Sequence, residues 1–198
     1  MRIIDAIQEK RYNYEGNVNK LSIDDVSKFV SDYKAGSLTP FYMSEAVPAK
    51  HTTDGLTKLV GKSFFDFTKG TTKDLLVFYH VPWCENCQAL QPKYETLAKE
   101  LERADDLVIA KFDVTLNEYS GMRIESFPTL ILFTNGDRTD GVRFEGEQHE
   151  ISDLRKFLAE KSPVYNKFAN QEKTAEGESN KTEELWAACR SEFLNWIQ

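Results

Sequence analysis

The chain has 198 residues, 40% of them hydrophobic and 29% charged, which is typical of a globular protein with a core of its own. A formal net charge of −7 disfavours a nucleic-acid partner, because such a partner is met by a basic face. The longest apolar runs, such as Leu75–Tyr79, are too short for a membrane span, and three cysteines are too few for a disulfide scaffold.

Residues 1–35 predict two short strands and one helix, a set too small to bury much apolar surface. The strands are expected near Arg2–Ala6 and Arg11–Tyr14. The helix is expected to begin after Ser22 and to stop at Gly36, with apolar residues at helical spacing between them: Val26, Phe29, Val30 and Tyr33. We therefore interpret 1–35 as the C-terminal remnant of a larger domain, and 36–55, which is punctuated by proline and glycine, as a connector.

Residues 56–161 alternate between strand and helix patterns, which predicts an α/β unit with a mixed sheet and helices on both of its faces. The predicted strands are Leu56–Val60, Leu75–His80, Leu107–Val114, Thr129–Thr134 and Gly141–Phe144. The predicted helices are Ser63–Gly70, Cys84–Arg103, Leu116–Gly121 and Ile151–Lys161.

Residues 162–198 are expected to form a polar linker, disordered over 170–181, followed by a C-terminal amphipathic helix. We favour packing of that helix on its own domain over docking to a partner. Within that helix, Cys189 is expected to be either a small buried hydrophobic residue or one half of an intermolecular disulfide. Asn180-Lys181-Thr182 is a glycosylation sequon and is weak evidence for the secretory pathway.

The strongest local signal is Cys84-Glu85-Asn86-Cys87, which follows a buried strand and the turn Pro82-Trp83. This context places Cys84 at the start of a helix and Cys87 one turn on, within disulfide distance. The helix dipole favours a thiolate at Cys84. A zinc site would need two more ligands at suitable spacing, which the chain does not offer, and we expect no metal. Two structural core cysteines are the other alternative, which the preceding Trp83 disfavours.

A second signal is Ser126-Phe127-Pro128-Thr129 at the start of an apolar strand. Proline is tolerated at a strand start, and a cis bond there is a functional device. An ordinary trans proline at the end of a loop is the alternative.

These segments together resemble the protein disulfide isomerase family, in particular its second catalytic domain, which has the thioredoxin fold. The resemblance rests on Pro82-Trp83-Cys84-x-x-Cys87, on Leu90, Pro92 and Tyr94, on Ile109–Asp113 and on Phe127–Leu130. Residues 36–40, 44–48 and 59–64 resemble the connector into that domain, and residues 2–4 with the helix over 22–35 resemble the end of the family's non-catalytic substrate-binding domain. The resemblance implies that the native protein is longer.

The resemblance implies a role for each matching residue. Cys84 is the expected attacking thiolate and Cys87 the resolving thiol. Pro128 is the expected cis-proline, whose neighbouring backbone at Phe127 pairs with substrate. Lys111 matches a buried lysine of the family.

Three departures from the family pattern stand out. Glu85-Asn86 replaces glycine-histidine, Phe78 replaces a buried glutamate, and Gln148 stands near the position of a mobile arginine. A histidine within about 4–6 Å would stabilise the thiolate by roughly 1–3 pKa units. Its loss is worth roughly 1.4–4 kcal/mol, or roughly 30–90 mV of reduction potential, so we expect a weak oxidant.

The favoured hypothesis is a thiol–disulfide oxidoreductase or isomerase of the endoplasmic reticulum lumen that needs no cofactor. Its expected partners are unfolded or disulfide-bonded proteins, with glutathione or an oxidase as redox partner. The alternative is a chaperone-like binding module with a vestigial redox site. A structural subunit docked through the tail helix is the third hypothesis.

Overall fold

The computed structural model describes residues 1–65, 72–137, 141–146 and 150–174. Within these ranges the chain forms a two-stranded and a six-stranded sheet. Sequence predictions for the tail helix, Cys189 and the Asn180 sequon lie outside them, as do Gln148 and most of the helix expected from Ser63 to Gly70. The described part holds no helix that is both long and apolar enough to cross a membrane.

The N-terminal segment forms an antiparallel pair, β1 (Arg2–Asp5) and β2 (Lys10–Asn13), and one helix, α1 (Ile23–Lys34). Ser22 caps the helix reciprocally with Asp25, as the sequence predicts. Tyr12 and Phe29 are buried between these elements, but Ile7 remains 96% exposed. The segment therefore holds only a small core, as expected of two strands and a helix.

The second sheet is mixed, which confirms the predicted α/β class. Its order is β3-β4-β6-β5-β7-β8. The central strands β4, β6 and β5 are parallel; β3 is antiparallel to β4, β7 is antiparallel to β5, and β8 is antiparallel to β7. The strands are β3 (Thr52–Thr53), β4 (Leu56–Leu59), β5 (Asp74–His80), β6 (Leu107–Asp113), β7 (Thr129–Phe133) and β8 (Val142–Arg143).

Strand β5 lies at the centre of the sheet and separates two apolar clusters. Leu76 and Phe78 point to one face, where they meet helices α2 (Glu85–Glu100) and α3 (Ile151–Lys161). Val77 and Tyr79 point to the other face, where Phe64 stacks on Tyr119 with ring centroids 3.9 Å apart. The alternation follows from the period of two residues along a strand.

The helix predicted over Leu116–Gly121 is wrong. Residues 114–116 form a turn instead, and the buried Asn117 side chain is held by four hydrogen bonds. Its amide oxygen accepts from the backbone N–H groups of Glu45 and Gly61, and its amide nitrogen donates to the Glu45 carboxylate and the Asp113 carbonyl. Bonds to such distant backbone groups fix a loop that local periodicity does not reveal.

The disorder predicted from residue 170 is also wrong as far as residue 174, because residues 163–174 form a further helix, α4. The Ser162 hydroxyl accepts from the Tyr165 N–H at 3.0 Å and donates to the Asp74 carboxylate at 2.6 Å. Pro163 stands at the first helical position, where it has no N–H to leave unpaired. Three residues of this helix pack against the core: Val164, Tyr165 and Phe168.

The connector holds the N-terminal segment against the second sheet. The Arg11 guanidinium forms an ion pair with the Glu118 carboxylate, which also accepts from the Met43 N–H at 3.1 Å. At Gly61 an added Cβ would collide with the carbonyl oxygens of Met43 and Glu118, so the chain needs glycine there. The division at residues 35, 55 and 161 stays a prediction.

Candidate redox site

Cys84 is the N-cap residue of α2, at the point where the chain returns from β5. Its Sγ accepts a hydrogen bond from the Cys87 N–H at 3.1 Å. The two cysteines form a disulfide, with their Cα atoms 5.1 Å apart. When the pair is reduced, this N–H and the positive end of the helix dipole both stabilise a thiolate at Cys84.

The two sulfurs differ in access. Cys87 is only 3% exposed, whereas Cys84 is half-buried. Trp83 beside them is 72% exposed and adds an apolar ring to the surface around the disulfide. Cys84 is therefore the more accessible of the two sulfurs.

The core residues clustered with Cys87 are apolar. Phe78 is fully buried there, its ring centroid 5.3 Å from that of Tyr94, in the cluster that also holds Leu90. Burial raises the pKa of the Tyr94 phenol well above its usual range, and its hydroxyl donates to the carbonyl oxygens of Leu76 and Ala110. Neither side chain can accept a proton from Cys87 near neutral pH.

Lys111 lies on β6 directly across from Phe78. Its side chain is 27% exposed, and its ammonium lies 3.7 Å from the Glu95 carboxylate on α2. The ammonium thus pairs with a carboxylate of helix α2. The resemblance implies a buried lysine at this position, and the structure leaves the Lys111 side chain partly exposed.

Phe127 and Pro128 are joined by a cis peptide bond immediately before β7. Phe127 is half-buried and packs against the same cluster as Cys84. The Thr129 hydroxyl donates to the Ser126 carbonyl at 2.7 Å across this turn. The structure thus gathers Cys84, Cys87, Phe78 and Phe127 around one cluster, while the substrate-pairing role of Pro128 stays a prediction.

Glu85 and Asn86 are both exposed in the first turn of α2. The Glu85 carboxylate suits the positive end of the helix dipole, but its charge opposes a neighbouring thiolate. Asn86 carries no charge. In the described part of the chain, no cluster of three or more His, Cys, Asp or Glu residues is arranged to hold a metal ion.

His80 is a residue of this site that sequence reasoning missed. It ends β5 with its ring centroid 5.2 Å from that of Phe78. Burial lowers the pKa of His80 below its ordinary value, against the opposing influence of the Asp113 carboxylate. Its position two residues after Phe78 was the available signal, because such residues share one face of a strand.

Comparisons with known proteins show what the chain is similar to. A thioredoxin family model matches residues 55–160. Protein disulfide isomerase-like 1-4 of Arabidopsis thaliana is 35% identical over 175 residues, which are 88% of this chain and 28% of the relative. Protein disulfide-isomerase A4 of Homo sapiens is 37% identical over 139 residues, which are 69% of this chain and 21% of the relative. This chain thus spans only a minor part of either relative.

Among solved structures, the first thioredoxin domain of mouse protein disulfide-isomerase A4 is similar with a TM-score of 0.47 and 22% identity. The similarity covers 61% of this chain and 82% of that one.

Proposed function

The chain belongs to the thioredoxin family and, within it, to the protein disulfide isomerases, and from this premise we propose that its Cys84–Cys87 pair exchanges disulfides with protein substrates. The observation that carries the proposal is the asymmetry of the pair. Cys84 caps a helix and is half-buried, while Cys87 lies beneath it at 3% exposure. We place this activity in the lumen of the endoplasmic reticulum, with glutathione or an oxidase as redox partner.

The exchange runs in two balanced steps. The Cys84 thiolate attacks a substrate disulfide, forms a mixed disulfide and releases one substrate thiolate. The Cys87 thiolate then attacks the Cys84 sulfur, which forms the Cys84–Cys87 disulfide and releases the second substrate thiolate. The reverse sequence oxidises a substrate dithiol, and escape of the substrate between the steps permits isomerisation.

The pair is further proposed to be a weak oxidant. The reduced state is stabilised by whatever favours the Cys84 thiolate, and a more stable reduced state makes the disulfide a stronger oxidant. Here the neighbour at position 86 is neutral and the neighbour at position 85 is negative. The helix dipole and the Cys87 N–H are left as the main stabilising groups.

A second candidate function is the binding of unfolded chains without redox turnover. The exposed Trp83 ring favours it, because an accessible aromatic surface next to the disulfide offers apolar contact to any unfolded segment. Refolding of a scrambled, disulfide-bonded substrate separates the two. Redox activity predicts that Cys84→Ser abolishes the rescue, whereas pure binding predicts that the rescue persists.

The test of the proposed function is the redox equilibrium of the pair in graded ratios of reduced to oxidised glutathione, read by thiol-alkylation mass shift. Cys189→Ser serves as the background, so that only two thiols report. A weak oxidant is expected to have a potential below roughly −210 mV, compared with roughly −180 mV for an oxidising isomerase. A pair that does not exchange with glutathione at any ratio would refute the function itself.

A further inference from the structure

The second exchange step needs a group that accepts the proton of the Cys87 thiol. Cys87 must lose its proton before it attacks, yet it is 3% exposed and belongs to an apolar cluster with Phe78 and Leu90. A thiol in such surroundings does not ionise readily without a proton acceptor. Phe78, which belongs to the same apolar cluster as Cys87, has no acceptor to offer.

His80 lies on the correct side of the sheet to meet this need. Side chains of β5 alternate, so that Leu76 and Phe78 face α2 while Val77 and Tyr79 face away. His80 continues the first set, and its ring lies 5.2 Å from that of Phe78. Cys87 stands only one turn into the helix that β5 feeds, so the end of the strand and the resolving thiol lie at the same end of this layer.

The charges around His80 suit a side chain that is neutral at rest and is protonated during only part of the reaction. Asp113 on β6 is its partner across the parallel ladder, and its carboxylate favours the imidazolium. Glu45 in the connector acts in the same direction. Lys111 on β6 and Lys58 on β4 oppose it, and each of them is already paired, with Glu95 on α2 and with Glu45. The imidazole is thus held neutral mainly by burial, with two carboxylates ready to stabilise the charged form.

We propose that the His80 imidazole accepts the proton of the Cys87 thiol and so takes the place of a buried carboxylate in this site. This inference rests on the proposed exchange reaction. The unshared pair of the imidazole nitrogen takes the Cys87 proton, which leaves a thiolate. That thiolate forms the bond to the Cys84 sulfur, and the bond from Cys84 to the substrate sulfur breaks. The imidazolium then returns its proton to the departing substrate thiolate.

The test separates the two exchange steps. Reduced protein in the Cys189→Ser background is mixed with oxidised glutathione, acid-quenched at intervals and weighed by mass spectrometry. Formation of the glutathione adduct reports attack by Cys84, and its disappearance reports resolution by Cys87. His80→Gln keeps hydrogen-bonding capacity but cannot titrate, and His51→Gln removes a histidine elsewhere in the chain as the matched control.

His80→Gln is expected to slow resolution at pH 7 on the order of 10²-fold, the size of a general-base contribution, and to leave adduct formation unchanged. The resolution rate of the unaltered protein is expected to level off above the pKa of His80, which burial places below its ordinary value. In His80→Gln the rate should instead climb steadily with pH. His51→Gln should follow the unaltered protein in both steps.

Equal resolution rates in His80→Gln and the unaltered protein would overturn the inference and leave the exchange function standing. Should His80→Gln fail to fold, the pH profile of the unaltered protein decides alone, because a rate that keeps climbing above the ordinary histidine pKa of about 6.5 refutes a histidine acceptor. A protein that never resolves the adduct would overturn both this inference and the function beneath it.

Discussion

Two loops at the same edge of the central sheet are built in opposite ways. The loop after β6, residues 113–118, has its polar side chains hydrogen-bonded both within the loop and to the rest of the chain. Asn117 makes four such bonds, and the Asp113 carboxylate accepts from both the N–H and the hydroxyl of Thr115. The loop after β5, residues 81–87, instead exposes Trp83, Glu85 and Asn86 and buries Cys87 above apolar residues.

The two loops therefore serve different purposes. The loop after β6 holds distant parts of the chain together, whereas the loop after β5 carries the cysteine pair. Satisfied polar groups fix a backbone, because an unpaired one would leave the folded state less stable. The loop after β6 uses them to fasten the connector and, through Glu118, the N-terminal segment. The proposed exchange reaction requires the loop after β5 to admit a polypeptide, and the polar side chains of that loop face solvent. The reactivity of its cysteine pair depends on few nearby charges. A single substitution there should therefore alter the reduction potential rather than the free energy of unfolding.

The largest effect on the loop after β5 is expected from Asn86→His, which places a positive charge beside Cys84. An imidazolium within about 4–6 Å stabilises the thiolate and hence the reduced state, so the reduction potential should become less negative by roughly 30–90 mV. Glutathione equilibration with alkylation read-out measures the change. The free energy of unfolding of the oxidised protein should stay within about 0.5 kcal/mol, as for other surface substitutions.

Thr96→His, about three turns further along the same helix, is the matched control for Asn86→His, because both variants exchange an exposed neutral side chain for histidine. It adds a histidine to α2 without approaching the sulfurs, because a helix rises about 1.5 Å per residue. If both variants shift the potential equally, the histidine acts through general charge, and the local account of position 86 fails.

Asn117→Ala should destabilise the loop after β6. It leaves the buried N–H groups of Glu45 and Gly61 without their acceptor, and each such group costs about 1–3 kcal/mol. Urea unfolding should therefore show a loss of about 3 kcal/mol, with the potential of the Cys84–Cys87 pair unchanged in the folded protein. Asn19→Ala, at an exposed position, should be near neutral. A marked change in potential would show that the two loops are coupled, contrary to the comparison.

The sequence predicted what depends on local pattern. Periodicity located the strands and long helices, and the cysteine spacing with its strand-turn-helix context located the disulfide at the start of α2. It did not reveal Asn117, whose partners lie far along the chain at Glu45 and Gly61. Local composition likewise favoured a helix over 116–121 and disorder from 170, because the contacts that decide both regions are tertiary.

The smallest expected effect concerns the contact between the N-terminal segment and the loop after β6. Glu118→Gln keeps the acceptor for the Met43 N–H but removes the charge that pairs with Arg11. Since both side chains are partly exposed, the loss should be only about 1 kcal/mol. Faster limited proteolysis within residues 36–45 is the sensitive measurement, with Glu160→Gln on the exposed side of α3 as the matched control. Unchanged proteolysis would mean that the backbone bonds of Glu118 and Phe41 hold the segment without the ion pair, and the loop after β6 would then owe its rigidity to neutral hydrogen bonds alone.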